Sequence, residues 1–183
     1  MKSKGEITVV VCTYNRADLL AGCLASLETQ TLDKDRFEVV VVDNNSTDHT
    51  QEVVHRFVGR IENLRVVIEH KQGLSHARNR GWQEAQCPLV GYLDDDAMAS
   101  NFWCEKVLAA FEESGELTAA VGGKILPWYQ VPKPTWFSDV LEIRSCGDSA
   151  GFLPPEHARN GFSGSNMAFK TINSKSVRVC AKT

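Results

Sequence analysis

Four short apolar runs, "EITVVVCT", "FEVVVVDNNS", "NLRVVIEH" and "PLVGYLD", are each followed by a longer stretch with helical periodicity. The runs are rich in β-branched residues and too short for buried helices, so they read as strands. The first two are apolar on both faces, which suits strands covered by helices above and below. Their partners include "RADLLAGCLASLETQ", where Leu19, Leu20, Cys23, Leu24 and Leu27 form one stripe. "DHTQEVVHRFVGR", "LSHARNRGWQEA" and "NFWCEKVLAAFEE" take the same place after the other runs, and Asp48 with Gln51 offers a capping box. "TAAVGGKIL" reads as one more strand. Strand alternating with helix, joined by right-handed crossovers, predicts an α/β fold: a Rossmann-like, mostly parallel sheet with helices on both faces.

With 183 residues the chain fits one domain and buries roughly 70% of its unfolded surface. Its formal net charge of −3 provides no electrostatic footprint for nucleic acid. The six cysteines form no C-x-x-C pair and the five histidines are scattered, so neither a zinc site nor a disulfide framework is expected. The N-terminus carries no cleavage-site pattern. No apolar stretch approaches the roughly 18 residues of a membrane span. The expectation is a reduced, cytoplasmic protein.

In a doubly wound sheet, ligands bind at the carboxyl ends of the strands. Polar clusters follow the four strands in turn: "TYNR", "DNNSTD", "GLSHARN" and "DDDAM". The turn after the first strand, "CTYNRAD", has no glycine, and the chain has no Walker loop. NAD enzymes and P-loop ATPases are therefore poor fits. A nucleotidyltransferase would also want a glycine-rich basic loop there.

The triplet Asp94, Asp95 and Asp96 poses its own problem. Two like charges about 4 Å apart cost about 4 kcal/mol at a protein surface. Water, a helix N-terminus or a cation can offset that, the helix beginning near Asn101 being the nearest candidate for the second. Farther along, "PWYQVPKPTWF" is either the wall of a pocket or a surface loop pinned by packed tryptophans.

Taken in order, "VVVCTYNR", "VVVVDNNSTD", "GLSHARNRG", "YLDDDA" and "GSNMAF" resemble the motifs of family 2 glycosyltransferases with the GT-A fold, from about Ile7 to Phe169. The resemblance implies a nucleotide-sugar donor, usually UDP-linked, and a glycan or lipid-linked acceptor in surface-polysaccharide assembly. It also implies Mg or Mn at the D-x-D element and inverting chemistry. Carried onto this sequence, Thr13, Tyr14 and Asn15 border the nucleotide, and Asp43 accepts the uracil imide N–H. Arg78 contacts base or diphosphate, Asp94 lies by the ribose and metal, and Asp95 joins the nucleotide-binding residues. Asp96, with Asp94, holds the metal, while Ser165 and Asn166 line the sugar and acceptor side. A lipid-linked acceptor would draw the protein to the inner face of the membrane as a peripheral partner.

Inverting family members place a catalytic Asp or Glu downstream of the segment matching "NMAF". Here "KTINSKSVRVCAKT" follows, without Asp or Glu. The expectation is a GT-A nucleotide-sugar-binding domain over 1–169, incomplete at its C-terminus, and an aberrant tail over 170–183, as in a truncated or frame-shifted chain. The catalytic base is then unknown. Asp139, Glu142, Asp148 and Glu156 are the earlier acids that could replace it, and the alternative function is a nucleotide-binding chain without activity.

Overall fold

The computed structural model describes residues 5–116, 118–139, 143 and 164–171. Its elements run β1 (Ile7–Thr13), α1 (Ala17–Glu28), β2 (Phe37–Asp43), α2 (Thr50–Phe57), β3 (Leu64–Ile68), α3 (Leu74–Glu84), β4 (Leu89–Asp94), α4 (Trp103–Ser114), β5 (Ala120–Gly122) and β6 (Met167–Lys170). The predicted alternation is present through α4.

The six strands form one sheet in the order β3-β2-β1-β4-β6-β5. β1 lies parallel to β2 and β4, and β2 parallel to β3. β6 runs antiparallel between β4 and β5, a strand that the sequence reading left unassigned. Four residues of "MAFK" are too few to show a period. β5 is likewise shorter than "TAAVGGKIL" suggested. Lys170 pairs with Leu89, and the Thr171 N–H donates to the Pro88 carbonyl. Residues 172–183, Glu142, Asp148 and Glu156 lie outside the described residues.

Alternation along β1 and β2 divides the core between the two faces. Ile7, Val9, Val11, Val39 and Val41 pack with Leu20, Leu24 and Leu27 of α1, Val53 and Phe57 of α2, and Trp103 and Phe111 of α4. Val10, Val40 and Val42 face the other way, toward Ala77 of α3 and Tyr92. Full burial of a valine or leucine side chain contributes roughly 1.5–3 kcal/mol, so these two layers hold the strands in register. β3 is one edge strand of the sheet, and its Val66 and Ile68 are exposed.

Asp48 does not build the expected capping box. α2 begins at Thr50 behind His49, with no side-chain cap. Instead one Asp48 oxygen accepts the Thr50 N–H at 3.1 Å and the other accepts the Ala17 N–H at 3.1 Å. The carboxylate thus ties the start of α2 to the start of α1 and lies below its ordinary pKa, through hydrogen bonds from Thr50 and Ala17 that outweigh burial. The four described cysteines Cys12, Cys23, Cys87 and Cys104 are free thiols. No helix among the described residues is long and apolar enough to cross a membrane.

Candidate functional site

Register brings the strand ends together. Thr13 pairs with Asp43 across β1 and β2, and Cys12 pairs with Asp94 across β1 and β4. Three of the sequence-predicted residues therefore lie along one edge of the sheet by backbone pairing alone. Just past these ends, Asn15 and Asn45 adopt positive φ, at 53° and 69°. Asparagine tolerates that region because its side chain can hydrogen-bond locally. Asn15 Oδ1 accepts the Thr47 N–H at 2.7 Å and the Asp48 N–H at 3.3 Å. Its side-chain oxygen is thereby engaged in joining two loops.

Asp43 is 1% exposed. Its Oδ1 accepts the Ser46 N–H at 2.8 Å, while Oδ2 has no hydrogen-bond partner among the described residues. A buried carboxylate oxygen left unpaired carries a desolvation cost that a ligand donor can remove. Beside it, Asn44 was not singled out from the sequence. Its Nδ2 donates to the carbonyls of Glu69 at 2.8 Å and Lys71 at 2.9 Å, and its Oδ1 accepts the Gly73 N–H at 2.8 Å. Gly73 has φ 131°, which favours glycine, and it leads directly into α3. Asn44 thus holds the loop from which α3 projects Arg78.

Among the described residues the acidic triplet has two protein cations. Arg78 Nη2 lies 3.3 Å from Asp94 Oδ1, and the Ser165 hydroxyl donates to Asp94 Oδ2. A Cβ at Gly164 would collide with the Arg78 guanidinium, so the "GSNMAF" segment reaches Asp94 because a glycine precedes Ser165. Arg16 Nη1 spans Asp95 Oδ1 at 3.2 Å and Asp96 Oδ2 at 3.0 Å. Burial pushes the Asp95 carboxyl above its ordinary value, against the Thr13 hydroxyl and Arg16, which pull it down. α4 begins at Trp103, after Phe102, with no side-chain cap, so the triplet is not its N-cap. Repulsion within the triplet is offset by guanidinium groups. Arg16 stood in the quoted "TYNR" cluster but received no role from the sequence; only the fold shows it reaching Asp95 and Asp96.

Several of these groups line a cavity of about 310 Å³, whose walls are Cys12, Thr13, Tyr14, Arg16, Asn44, Leu74, Ala77, Asp94, Asp95 and Asp96, while Asp43, Arg78 and Ser165 stand outside that lining. Burial pushes the Cys12 thiol up to about 12, so it faces the cavity uncharged. Asn166 stands to one side: its Oδ1 accepts from Trp103 Nε1 at 2.9 Å, and its Nδ2 donates to the Lys124 carbonyl at 3.2 Å. A larger cavity of about 650 Å³ lies in the proline-aromatic loop, between Leu126 and Ile143. Trp136 there is 79% exposed, so that loop is not pinned by a packed tryptophan at this position. Asp139 is held by Lys133 at 2.7 Å and Tyr129 at 2.9 Å, which keep its carboxyl below the usual range.

Among the described residues no three His, Cys, Asp or Glu side chains converge as a metal cage. The available donors at the cavity are carboxylate oxygens of Asp94 and Asp96. Mg²⁺ characteristically binds through one or two carboxylates plus substrate phosphates, and keeps waters elsewhere. A hard-oxygen half-site of this kind fits such an ion.

A mostly parallel sheet gathering acids, arginines and a hydroxyl around one strand-end cavity defines the open α/β class, which binds its ligands at that place. Within that class the chain belongs to glycosyl transferase family 2, whose family model matches residues 8–171. It is 32% identical to glycosyltransferase AglE of Haloferax volcanii over 65% of this chain and 39% of that protein. It is 30% identical to the glucosyl-dolichyl phosphate glucuronosyltransferase of the same organism, over 90% of this chain and 52% of that protein. The chain therefore spans about half, or less, of these relatives. Among solved structures, the mannosyltransferase PcManGT from Pyrobaculum calidifontis, in complex with GDP-Man and Mn²⁺, matches with TM-score 0.62 and 26% identity over 91% of this chain and 45% of that one. S. aureus TarS 1-349 in complex with UDP-GlcNAc matches with TM-score 0.56 and 31% identity over 59% of this chain and 31% of that one. The sheet is the expected GT-A fold.

Proposed function

We propose that this chain serves transfer of a sugar from a UDP-linked donor to a glycan or lipid-linked acceptor, with inversion, in cell-surface polysaccharide assembly. The observation that carries the reading is the carboxylate Asp94, aimed at the strand-end cavity and braced by Arg78 and Ser165. Asp43 supports uridine in particular: a uracil imide N–H would supply the donor that its Oδ2 lacks among the described residues. Charge-assisted bonds of this kind are the strong ones. Thr13 and Tyr14 would border the base and ribose, with Asn15 behind them as the loop clamp. Asp95 would act through Arg16. Ser165 and Asn166 would face the sugar side.

Asp94 and Asp96 would hold Mg²⁺ or Mn²⁺, as the Mn²⁺ in the PcManGT complex suggests. When bound, the ion supplies positive charge where the leaving diphosphate gains negative charge. Arg78 adds a fixed cation on the same side. A relative named as a glucosyl-dolichyl phosphate glucuronosyltransferase favours a lipid-linked acceptor, which would bring this chain to a membrane face.

Calorimetry with UDP, with Mn²⁺ present and then chelated, tests the binding half. Micromolar affinity that weakens on chelation is expected. An affinity that is the same in EDTA would remove the metal from this reading. CDP in place of UDP tests the base, because cytosine N3 carries no hydrogen, and equal affinity would remove Asp43 as a uracil imide acceptor.

Binding without transfer is a second reading, favoured by one observation: Asp139, the one of the four earlier acids among the described residues, is paired with Lys133 and Tyr129. A general base must take the acceptor's proton, and these partners hold the Asp139 carboxyl below its usual range, which makes it a weaker base. Sugar transfer by the purified chain would dismiss this second reading; donor binding without hydrolysis or transfer would establish it.

A further inference from the structure

Arg16 occupies the place at Asp96 where an incoming cation would go. Its Nη1 contacts both Asp95 and Asp96, yet the two contacts differ in setting. The Asp95 side chain is 8% exposed, whereas that of Asp96 is 48% exposed. The first contact is shielded and the second lies open to water. Asp94 is held separately, by Arg78 and Ser165. The Arg16 backbone is anchored, since its carbonyl accepts the Leu20 N–H at 3.0 Å in the first turn of α1. Its side chain is half exposed and has room to move.

We propose that Arg16 is a displaceable counter-ion: its guanidinium covers Asp96 in the metal-free protein, and a divalent cation must take Asp96 from it while Asp95 retains the arginine. The proposal rests on the reading that Asp94 and Asp96 hold the metal. Exposed ion pairs are weak, so the Asp96 contact is the one that yields. The Asp95 contact persists, because leaving that buried carboxylate unpaired is the costlier change. Until the exchange occurs, the guanidinium competes for a metal ligand and repels the arriving ion. Arg16 is thereby a positioning residue that tunes metal entry, without itself being a metal ligand.

Mn²⁺ titration of the full chain without nucleotide, with free Mn²⁺ followed by electron paramagnetic resonance, tests this apart from any activity. Arg16→Gln and Arg16→Lys are compared with the wild type and with Asp96→Asn. Both Arg16 variants should bind Mn²⁺ more tightly, by about threefold, since the competing exposed contact at Asp96 is lost or weakened. Arg16→Lys covers the case in which Arg16→Gln fails to fold, because it keeps a positive charge for Asp95 while its side chain, one bond shorter, holds Asp96 less closely. Mn²⁺ binding that is unchanged or weaker in a folded Arg16 variant overturns the proposal, while the metal reading stands if Asp96→Asn loses Mn²⁺. Wild-type Mn²⁺ binding in Asp96→Asn instead sinks the metal reading, and the proposal with it.

Discussion

Thr8 faces Glu38 across β1 and β2 near one edge of the sheet, and Thr13 faces Asp43 across the same two strands at the other. Each pair combines a hydroxyl with an acid, and all four residues are buried. At the first edge everything is satisfied. Glu38 Oε1 accepts the Thr8 hydroxyl at 2.5 Å and the Gln86 N–H at 2.8 Å, while Arg65 reaches Oε2 at 3.4 Å. Arg65 also pairs with Glu84 at 2.9 Å, and the Cys87 N–H donates to Thr8 Oγ1 at 3.2 Å. At the second edge Asp43 keeps an unpaired oxygen, Asp96 is half exposed, and a cavity opens between the loops. A saturated buried network rigidifies a fold, whereas an unsaturated one stores binding capacity. Chemically similar pairs thus differ by what the neighbouring chain supplies.

Substitutions at the two edges should separate these roles. The largest effect is expected from Glu38→Ala, which leaves Thr8, Gln86 and Cys87 without their shared acceptor network. It should lower stability by about 3 kcal/mol in denaturant unfolding, with nucleotide affinity of the folded protein unchanged. A selective loss of UDP affinity there would break the comparison. Next comes Asp43→Ala, which should cost about 2 kcal/mol of UDP binding, roughly thirtyfold, and only about 1 kcal/mol of stability. A stability loss matching that of Glu38→Ala would mean that Asp43 is structural.

Asp96→Ala should follow, weakening UDP binding about tenfold in Mn²⁺ and abolishing the further effect of EDTA. The smallest effect belongs to Glu6, beside the saturated edge. Its hydrogen bond with Arg36 holds the carboxyl below its ordinary value, against a smaller push upward from burial. A depressed folded pKa contributes stability above the unfolded value and loses it as pH falls through the folded one. Glu6→Gln should therefore flatten a shallow slope in stability just below the ordinary glutamate range, read from urea midpoints across acid pH. An unaltered slope would assign that limb to other carboxylates.

Much of the site was legible before folding. Dense β-branched runs allow little except buried strands, and the acids that end them fall at strand termini by position alone. Thr13, Tyr14, Asp94, Asp95 and Asp96 accordingly line one cavity. Less legible was what each polar side chain would do once there. Asn15 resembled a ligand contact, yet its side-chain oxygen accepts from Thr47 and Asp48. Asp48 looked like a cap for the following helix and instead reaches Ala17. Arg16 and Asn44 sat in view within "TYNR" and "DNNS", but their partners are far along the chain, at Asp95, Asp96, Glu69 and Gly73.

By itself, the order of apolar runs and helical stripes determined a layered α/β sheet with its polar clusters at one edge, because burial and backbone pairing depend on local pattern. Tertiary structure alone decided that "MAFK" would enter the sheet reversed, carrying Ser165 to Asp94, and that Arg16 would span two acids. Those contacts join residues some seventy or more positions apart. Their geometry is set by how whole elements pack, and no local periodicity encodes it.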